Sequence, residues 1–268
     1  MASSSGELIM DALLRLSSRS FSNLSLSLSS DLSLHRRRLA FLLLSPFHFF
    51  LTVSYLRSLS FPEKTLLLAR HLLSSLQKLL PPSLSSPSSA HRLRLRDLDA
   101  ALLLMAMCDS YDVHDRAARP SNWRSVISDA VLRSTLSPSG LGLDAWVVVC
   151  HYVDAAAKCR RLMEVLAAGG GGEKVGSAAA AVVALPSVEC AEGGRECAIC
   201  KEEIEKGREV CELPCLHRFH WGCALRWLRR RSTCPCCRHE LPTEDVYREM
   251  RRVWREVGKM GEQNQWRT

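Results

Sequence analysis

The stretch Cys197-Ala-Ile-Cys200, Cys215-Leu-His217-Arg-Phe-His220-Trp-Gly-Cys223 and Cys234-Pro-Cys-Cys237 decides how the C-terminal part of this chain folds. Fourteen residues separate Cys200 from Cys215, and ten separate Cys223 from Cys234. Thiolates and imidazoles spaced in this way are zinc ligands, and a structural zinc ion takes four of them in a closed tetrahedron. The eight ligands Cys197, Cys200, Cys215, His217, His220, Cys223, Cys234 and Cys237 therefore make two full sites. No position stays open for a metal-bound water. A segment this short buries too little apolar surface to fold unaided, since chains below roughly 40 residues usually need metal or disulfides. Two zinc ions supply the difference, each binding with an apparent free energy of about 10–16 kcal/mol in structural sites.

The remaining cysteines bound the reading. Cys236 lies between two ligands and can compete for zinc in another register, although the Cys-Pro-x-Cys spacing favours Cys234 with Cys237. Cys211 reads as a buried thiol. Of twelve cysteines, the six outside the ligand set show no disulfide framework. Reduced thiols and zinc thiolates point to the cytosol or nucleus. The net charge of +8 suits an acidic partner or a membrane surface without saying which. The basic residues are interspersed with acids and no aromatic-interleaved stripe is present, which argues against nucleic acid as the partner. Arg229, Arg230 and Arg231 read as a solvated helix end.

Working outward toward the N-terminus, the pattern is helical. Ser60 caps and Pro62 opens a helix running to Leu80, with Leu68, Leu72, Leu76 and Leu79 on one face. Pro81, Pro82 and the serines up to Ser89 break it. A helix from Arg94 to Met107 aligns Leu95, Leu98, Leu102 and Met105. Another, from Leu143 to Leu166, aligns Trp146, Cys150, Val153 and Ala157. Each stripe reads as core. With helices over Arg36–Leu59 and Asn122–Leu136, these make an α-helical bundle. Leu39 to Val53 is the most apolar stretch, but Ser45, Pro46 and His48 interrupt it. A spanning helix needs about 20 apolar residues in a row. Two buried helices meeting at a turn are expected, with no transmembrane span. The first thirty residues resemble a plastid transit peptide in their serine and leucine content, but Glu7, Asp11 and Asp31 do not fit one. An uncleaved helix is the favoured reading there, although the alternation Leu24-Ser25-Leu26-Ser27-Leu28 also fits a strand.

The expected architecture is mainly α. Residues 1–166 form a helical domain that selects substrate or location. Residues 167–194 form a linker, flexible at Gly169–Gly172, with an alanine-rich helix over Ser177–Leu185. Residues 195–242 form an α+β zinc module, and residues 243–268 a C-terminal helix and tail. Thr243 is the expected cap of that last helix. Its apolar side carries Val246, Met250, Val253, Trp254 and Val257.

The order and spacing of the eight ligands, with Trp227 and Pro235, resemble the RING finger in the variant with histidines at the fourth and fifth positions. The resemblance implies a cross-brace, in which Cys197, Cys200, His220 and Cys223 hold one zinc while Cys215, His217, Cys234 and Cys237 hold the other. It also implies a ubiquitin ligase that binds a ubiquitin-charged conjugating enzyme and positions the thioester for attack by a substrate lysine, which is catalysis by orientation. By the same resemblance Ile199, Trp227 and Pro235 touch the conjugating enzyme. Arg238 bridges it to ubiquitin, a role that suits the planar fork of arginine. Ile199 and Trp227 can equally be the small core of the module, Pro235 can simply shape its loop, and Arg238 can be a solvated charge. A non-catalytic zinc scaffold for protein interactions is the alternative.

Further strings resemble one plant family of amyloplast-associated ubiquitin ligases. They include His35-Arg36-Arg37-Arg38-Leu39, Leu95-Arg96-Asp97-Leu98-Asp99-Ala100, Asn122-Trp123-Arg124, Ala180–Leu185 and Leu241-Pro242-Thr243. That resemblance implies a place on the cytosolic face of starch-filled plastids. It also implies a role in their attachment to actin filaments during gravity sensing, with actin-associated proteins among the partners.

Overall fold

The computed structural model describes residues 5–81, 93–110, 122–135, 144–167, 176–191 and 193–262. They group into two compact units, one drawn from the chain up to Leu79, Leu93–Leu162 and Val257 onward, the other from Leu80 and from within Met163–Glu256. The glycine run Gly169–Gly172 and the serine-rich stretch from Pro82 to Ser89 lie outside the described residues.

The helical unit contains α1 (Ser5–Leu14), α2 (Ser18–Leu44), α3 (Pro46–Ser58), α4 (Phe61–Gln77), α5 (Leu95–Asp109), α6 (Trp123–Thr135) and most of α7 (Asp144–Ala167). Ser17 caps α2 by accepting the Ser20 N–H, and the helix runs through the Leu24–Leu28 alternation. Ser25 and Ser27 are no obstacle, because Leu24 and Leu28 fall one turn apart and both are buried. Ser45 and Pro46 then end α2, and α3 leaves at 104° to it. Ser60 and Glu63 close a reciprocal capping box around Pro62 at the start of α4.

Helix α5 packs against α2, α3, α4 and α6. Its small buried residues Ala100 and Ala101, beside Leu103, let these neighbours approach closely. Leu43, Leu56, Leu67 and Ile127 complete that core. Polar ties fix the same contacts. The Arg38 guanidinium donates to both Asp99 carboxylate oxygens, at 2.8 and 2.5 Å. Tyr55 Oη donates to Asp97 at 2.8 Å, and Arg124 Nε donates to the Leu43 carbonyl at 2.6 Å.

Three stripe expectations need correction. On α7, Trp146 and Cys150 are exposed, while Val148, Tyr152, Ala155, Ala156 and Cys159 are buried. The helix is apolar on more than one side, and the buried side is the one that carries Tyr152. Leu95 on α5 is likewise exposed. Around Leu39–Val53 two helices do meet at a turn, but the outer side of α3 is exposed at Phe47, Phe50 and Leu51. No single helix among the described residues is long and apolar enough to cross a membrane.

The second unit contains α8 (Ala179–Val183), β1 (Ser187–Glu189), β2 (Arg195–Glu196), β3 (Glu203–Ile204), β4 (Glu209–Glu212), β5 (Arg218–Phe219), α9 (Trp221–Leu228) and most of α10 (Val246–Glu262). Strands β1, β4 and β5 form an antiparallel sheet in that order, and β2 pairs with β3. Ile204, Val210, Leu213, Phe219, Leu228 and Leu241 fill the core between them. The alanine-rich segment docks by backbone, with the Ser177 N–H donating to the Leu228 carbonyl and the Ala178 N–H to the Pro242 carbonyl. A Cβ at Gly176 would stand 2.3 Å from the Arg229 carbonyl oxygen, so only glycine permits that approach. Val246, Met250, Val253 and Val257 are buried along one side of α10, as their spacing predicts. Its cap is Asp245, whose carboxylate accepts the Arg248 N–H at 2.7 Å. Thr243, the expected cap, instead accepts the Asp245 N–H and gives its own N–H to Glu249.

Candidate metal centre and its surface

Each ligand pair is presented by a local feature that the sequence encodes. Cys197–Cys200 and Cys234–Cys237 form two matching knuckles. In the first, the Lys201 N–H donates to the Cys197 carbonyl and the Cys197 N–H to the Glu202 carbonyl. In the second, the Arg238 N–H donates to the Cys234 carbonyl and the Cys234 N–H to the His239 carbonyl. The residue after each pair has left-handed backbone, with φ 66° at Lys201 and 60° at Arg238. Leu216, between Cys215 and His217, has φ 64°. The other ligands come from the turn before β5 (Cys215 and His217), the start of α9 (His220) and its first turn (Cys223).

The fold gathers these residues into two clusters, Cys197 with Cys200, His220 and Cys223, and Cys215 with His217, Cys234 and Cys237. Within each cluster all ligand atoms lie within 4.8 Å of one another. Cys200 Sγ and His220 Nδ1 are 3.4 Å apart, as are Cys215 Sγ and His217 Nδ1. A zinc tetrahedron with Zn–S of about 2.3 Å and Zn–N of about 2.0 Å has an S···N edge of about 3.5 Å. The donor sets therefore fit two structural zinc ions, one per cluster. The pairing alternates along the chain, so each site needs segments that also build the other. Cys236 is exposed and belongs to neither cluster. Cys211 is buried on β4, and burial pushes its thiol up to about 11.

The thiols themselves call for a cation. Burial raises Cys197, but the N–H groups of Cys200, Ile199 and His220 outweigh it and bring this thiol down to about 7. Burial and crowding by Cys237 and Cys234 push Cys215 up to about 12. Several thiolates this close repel one another, and a dication at the centre removes the repulsion and deprotonates all of them.

The expected contact residues lie around the two knuckles. Ile199 and Trp227 are half-buried, packing on the module core with one side still open. Trp227 Nε1 donates to the Thr233 carbonyl at 2.7 Å, which ties α9 to the second knuckle, and the Arg231 guanidinium lies over the indole ring at 5.5 Å. Pro235 is half-buried and Arg238 exposed. Strand β1 was not expected. Its signal in the sequence was faint, an alternation of Val188 and Cys190 just after Pro186, with Ser187 now accepting the Trp221 indole N–H at 3.0 Å.

Residues 195–238 match the Ring finger domain family. Over 95% of its length the chain is 39% identical to the E3 ubiquitin-protein ligase SGR9, amyloplastic, of Arabidopsis thaliana, covering 96% of that protein. The chain belongs to the RING-type E3 ubiquitin-protein ligases. Two other members match a smaller share of the chain. An E3 ubiquitin-protein ligase RNF181 homolog of Drosophila melanogaster is 48% identical over 27% of this chain and 52% of its own. The E3 ubiquitin-protein ligase RING1 of Gossypium hirsutum is 41% identical over 26% of this chain and 22% of its own. The RING match stops short of α8, β1 and α10, whereas the similarity to SGR9 runs on through the helical unit.

Proposed function

We propose that this RING ligase holds a ubiquitin-charged conjugating enzyme against Ile199, Trp227 and Pro235, while Arg238 bridges the carrier and ubiquitin. Two closed four-ligand sites offer no chemistry of their own, so the work falls to the surface they stiffen. The observation that carries the reading is Arg238. Left-handed backbone costs a residue with a Cβ roughly 1–2 kcal/mol, and glycine would adopt it freely. Lys201 bears the same cost at the first knuckle, so what singles out Arg238 is an exposed guanidinium three residues from half-buried Pro235 at the second. Orientation of the thioester then lowers the barrier to lysine attack, with no covalent intermediate on the ligase.

By similarity to SGR9, the protein works at the cytosolic face of amyloplasts, modulates their attachment to actin filaments, and has protein substrates there. The ligase reading is tested by autoubiquitination with activating enzyme, a panel of conjugating enzymes and ATP. Arg238→Gly relieves the backbone and removes the cation. It is expected to keep both zinc ions and slow discharge of the charged carrier at least about tenfold, the scale of one transition-state hydrogen bond. Full discharge by this variant would remove Arg238 from the mechanism. A zinc-replete wild type inert with every carrier would leave a non-catalytic scaffold.

A further inference from the structure

The corner between α2 and α3 breaks the rule that the apolar side of a helix faces the core. Leu44 is 80% exposed, Phe47 66% and Phe50 64%, with Phe41 and Leu51 exposed beside them. They form one patch, since the His48 ring lies 4.6 Å from Phe41 and 5.5 Å from Phe47. The opposite side of α3 is engaged in the core through Phe49, Val53 and Leu56. Helix α3 is thus apolar on both sides, and among the described residues only one side is covered.

Charge around the patch has one sign. Between Asp31 and Glu63 the chain has no acidic residue, but it has Arg36, Arg37, Arg38 and Arg57. Arg36, Arg37 and Arg57 are exposed. Arg37 is one turn before Phe41 on α2, and Arg57 is two turns after Phe50 on α3, so cations flank the aromatic residues on both helices. On the neighbouring helix α5, Asp97 and Asp99 are engaged by Tyr55 and Arg38. Together α2 and α3 are long and apolar enough for a membrane span only as a pair bent by 104° at Ser45, and neither helix is so by itself. Aromatic and leucine side chains at a helix corner, rimmed by arginines, suit the boundary between headgroups and acyl chains.

We propose that this corner seats the helical unit on an anionic lipid bilayer, with Phe47, Phe50 and Leu51 entering the acyl boundary and Arg36, Arg37 and Arg57 meeting the phosphates. The proposal deepens the plastid-surface reading above but is tested without plastids, so the failure of one is separable from the failure of the other. Full-length zinc-loaded protein is floated with phosphatidylcholine vesicles, with and without phosphatidylglycerol. It is expected to float with the anionic vesicles only, and less as salt rises. Replacing Arg36 and Arg37 together by glutamine should weaken binding about fivefold per arginine. The triple variant Phe47→Ser, Phe50→Ser, Leu51→Ser should lose at least about tenfold in binding. Both variants should keep wild-type circular dichroism and autoubiquitination, since the changed residues are exposed and lie outside the zinc unit. Equal flotation with both vesicle types, undiminished binding by the triple variant, or no binding at all would overturn the proposal. The last result would leave the corner to a protein partner.

Discussion

Replacing Arg252 by methionine strands the Glu249 carboxylate in the interior of the zinc unit. Glu249 is fully buried and Arg252 is 3% exposed, and the guanidinium reaches both carboxylate oxygens at 3.0 and 2.6 Å. The Thr243 N–H adds a third donor at 3.1 Å. Removing one member of a buried pair typically costs about 3–5 kcal/mol, because the charge left behind has no partner. Replacing both by apolar groups of similar volume is often neutral or favourable by about 1–4 kcal/mol. Here that gain is offset by the orphaned Thr243 N–H, a loss of about 1–3 kcal/mol. Arg252→Met and Glu249→Leu should therefore each destabilise strongly, while the double variant stays close to wild type. Hydrogen exchange of the α10 amides at fixed free zinc reads this directly, without requiring two-state unfolding of a metalloprotein. Each single variant should exchange faster by roughly 10²-fold to several thousandfold, at about 1.4 kcal/mol per tenfold. A change of less than about tenfold in Arg252→Met, or a double variant worse than either single one, would refute the reasoning.

Metal removal and acid should each act on one unit. Chelation should abolish the tertiary signal of Trp221 and Trp227 while helical circular dichroism from the other unit persists. Because the two sites share their segments, Cys197→Ala should lower zinc content well below the single equivalent that independent sites would retain, as elemental analysis would show. In the helical unit, burial lowers both His71 and His151 to about 4 from an ordinary 6.5. His35 lies beside His71, with ring centroids 5.1 Å apart. The folded pKa values lie below the unfolded ones, so the unfolded chain binds more protons between pH 6.5 and 4. Stability is then full above pH 6.5 and falls through that window, by on the order of 3 kcal/mol for His71. The melting temperature of the helical unit should drop between pH 7 and pH 5, and drop less in His71→Leu. Equal drops in the two proteins would count against His71 as the cause.

Much of the zinc unit was legible because its information is local. The identity and spacing of eight ligands allow few solutions, and the capping residues of α4 sit beside the helix they start. The strings that resemble the plant ligases turn out to carry the polar ties of the helical unit, Arg38 with Asp99 and Arg124 with the Leu43 carbonyl. Their chemistry was visible and their partners were not, because those partners lie 61 and 81 residues away. The stripe on α7 misled because a helix apolar on several sides has no preferred face until a neighbour picks one. Strand β1 was missed because three residues, of which only Val188 favours a strand, become one only when β4 offers an edge.

By itself the sequence determined that this protein carries two closed zinc sites, a helical region before them and a helix after them. Ligand valence, proline and serine punctuation and helical periodicity act over a few residues and hold in any context. The tertiary structure alone decided that α8 and β1 belong to the zinc unit, that Asp245 rather than Thr243 caps α10, and that Phe47 and Phe50 of α3 face outward. Those outcomes depend on which surfaces meet across long separations, and burial is a property of the meeting rather than of either segment.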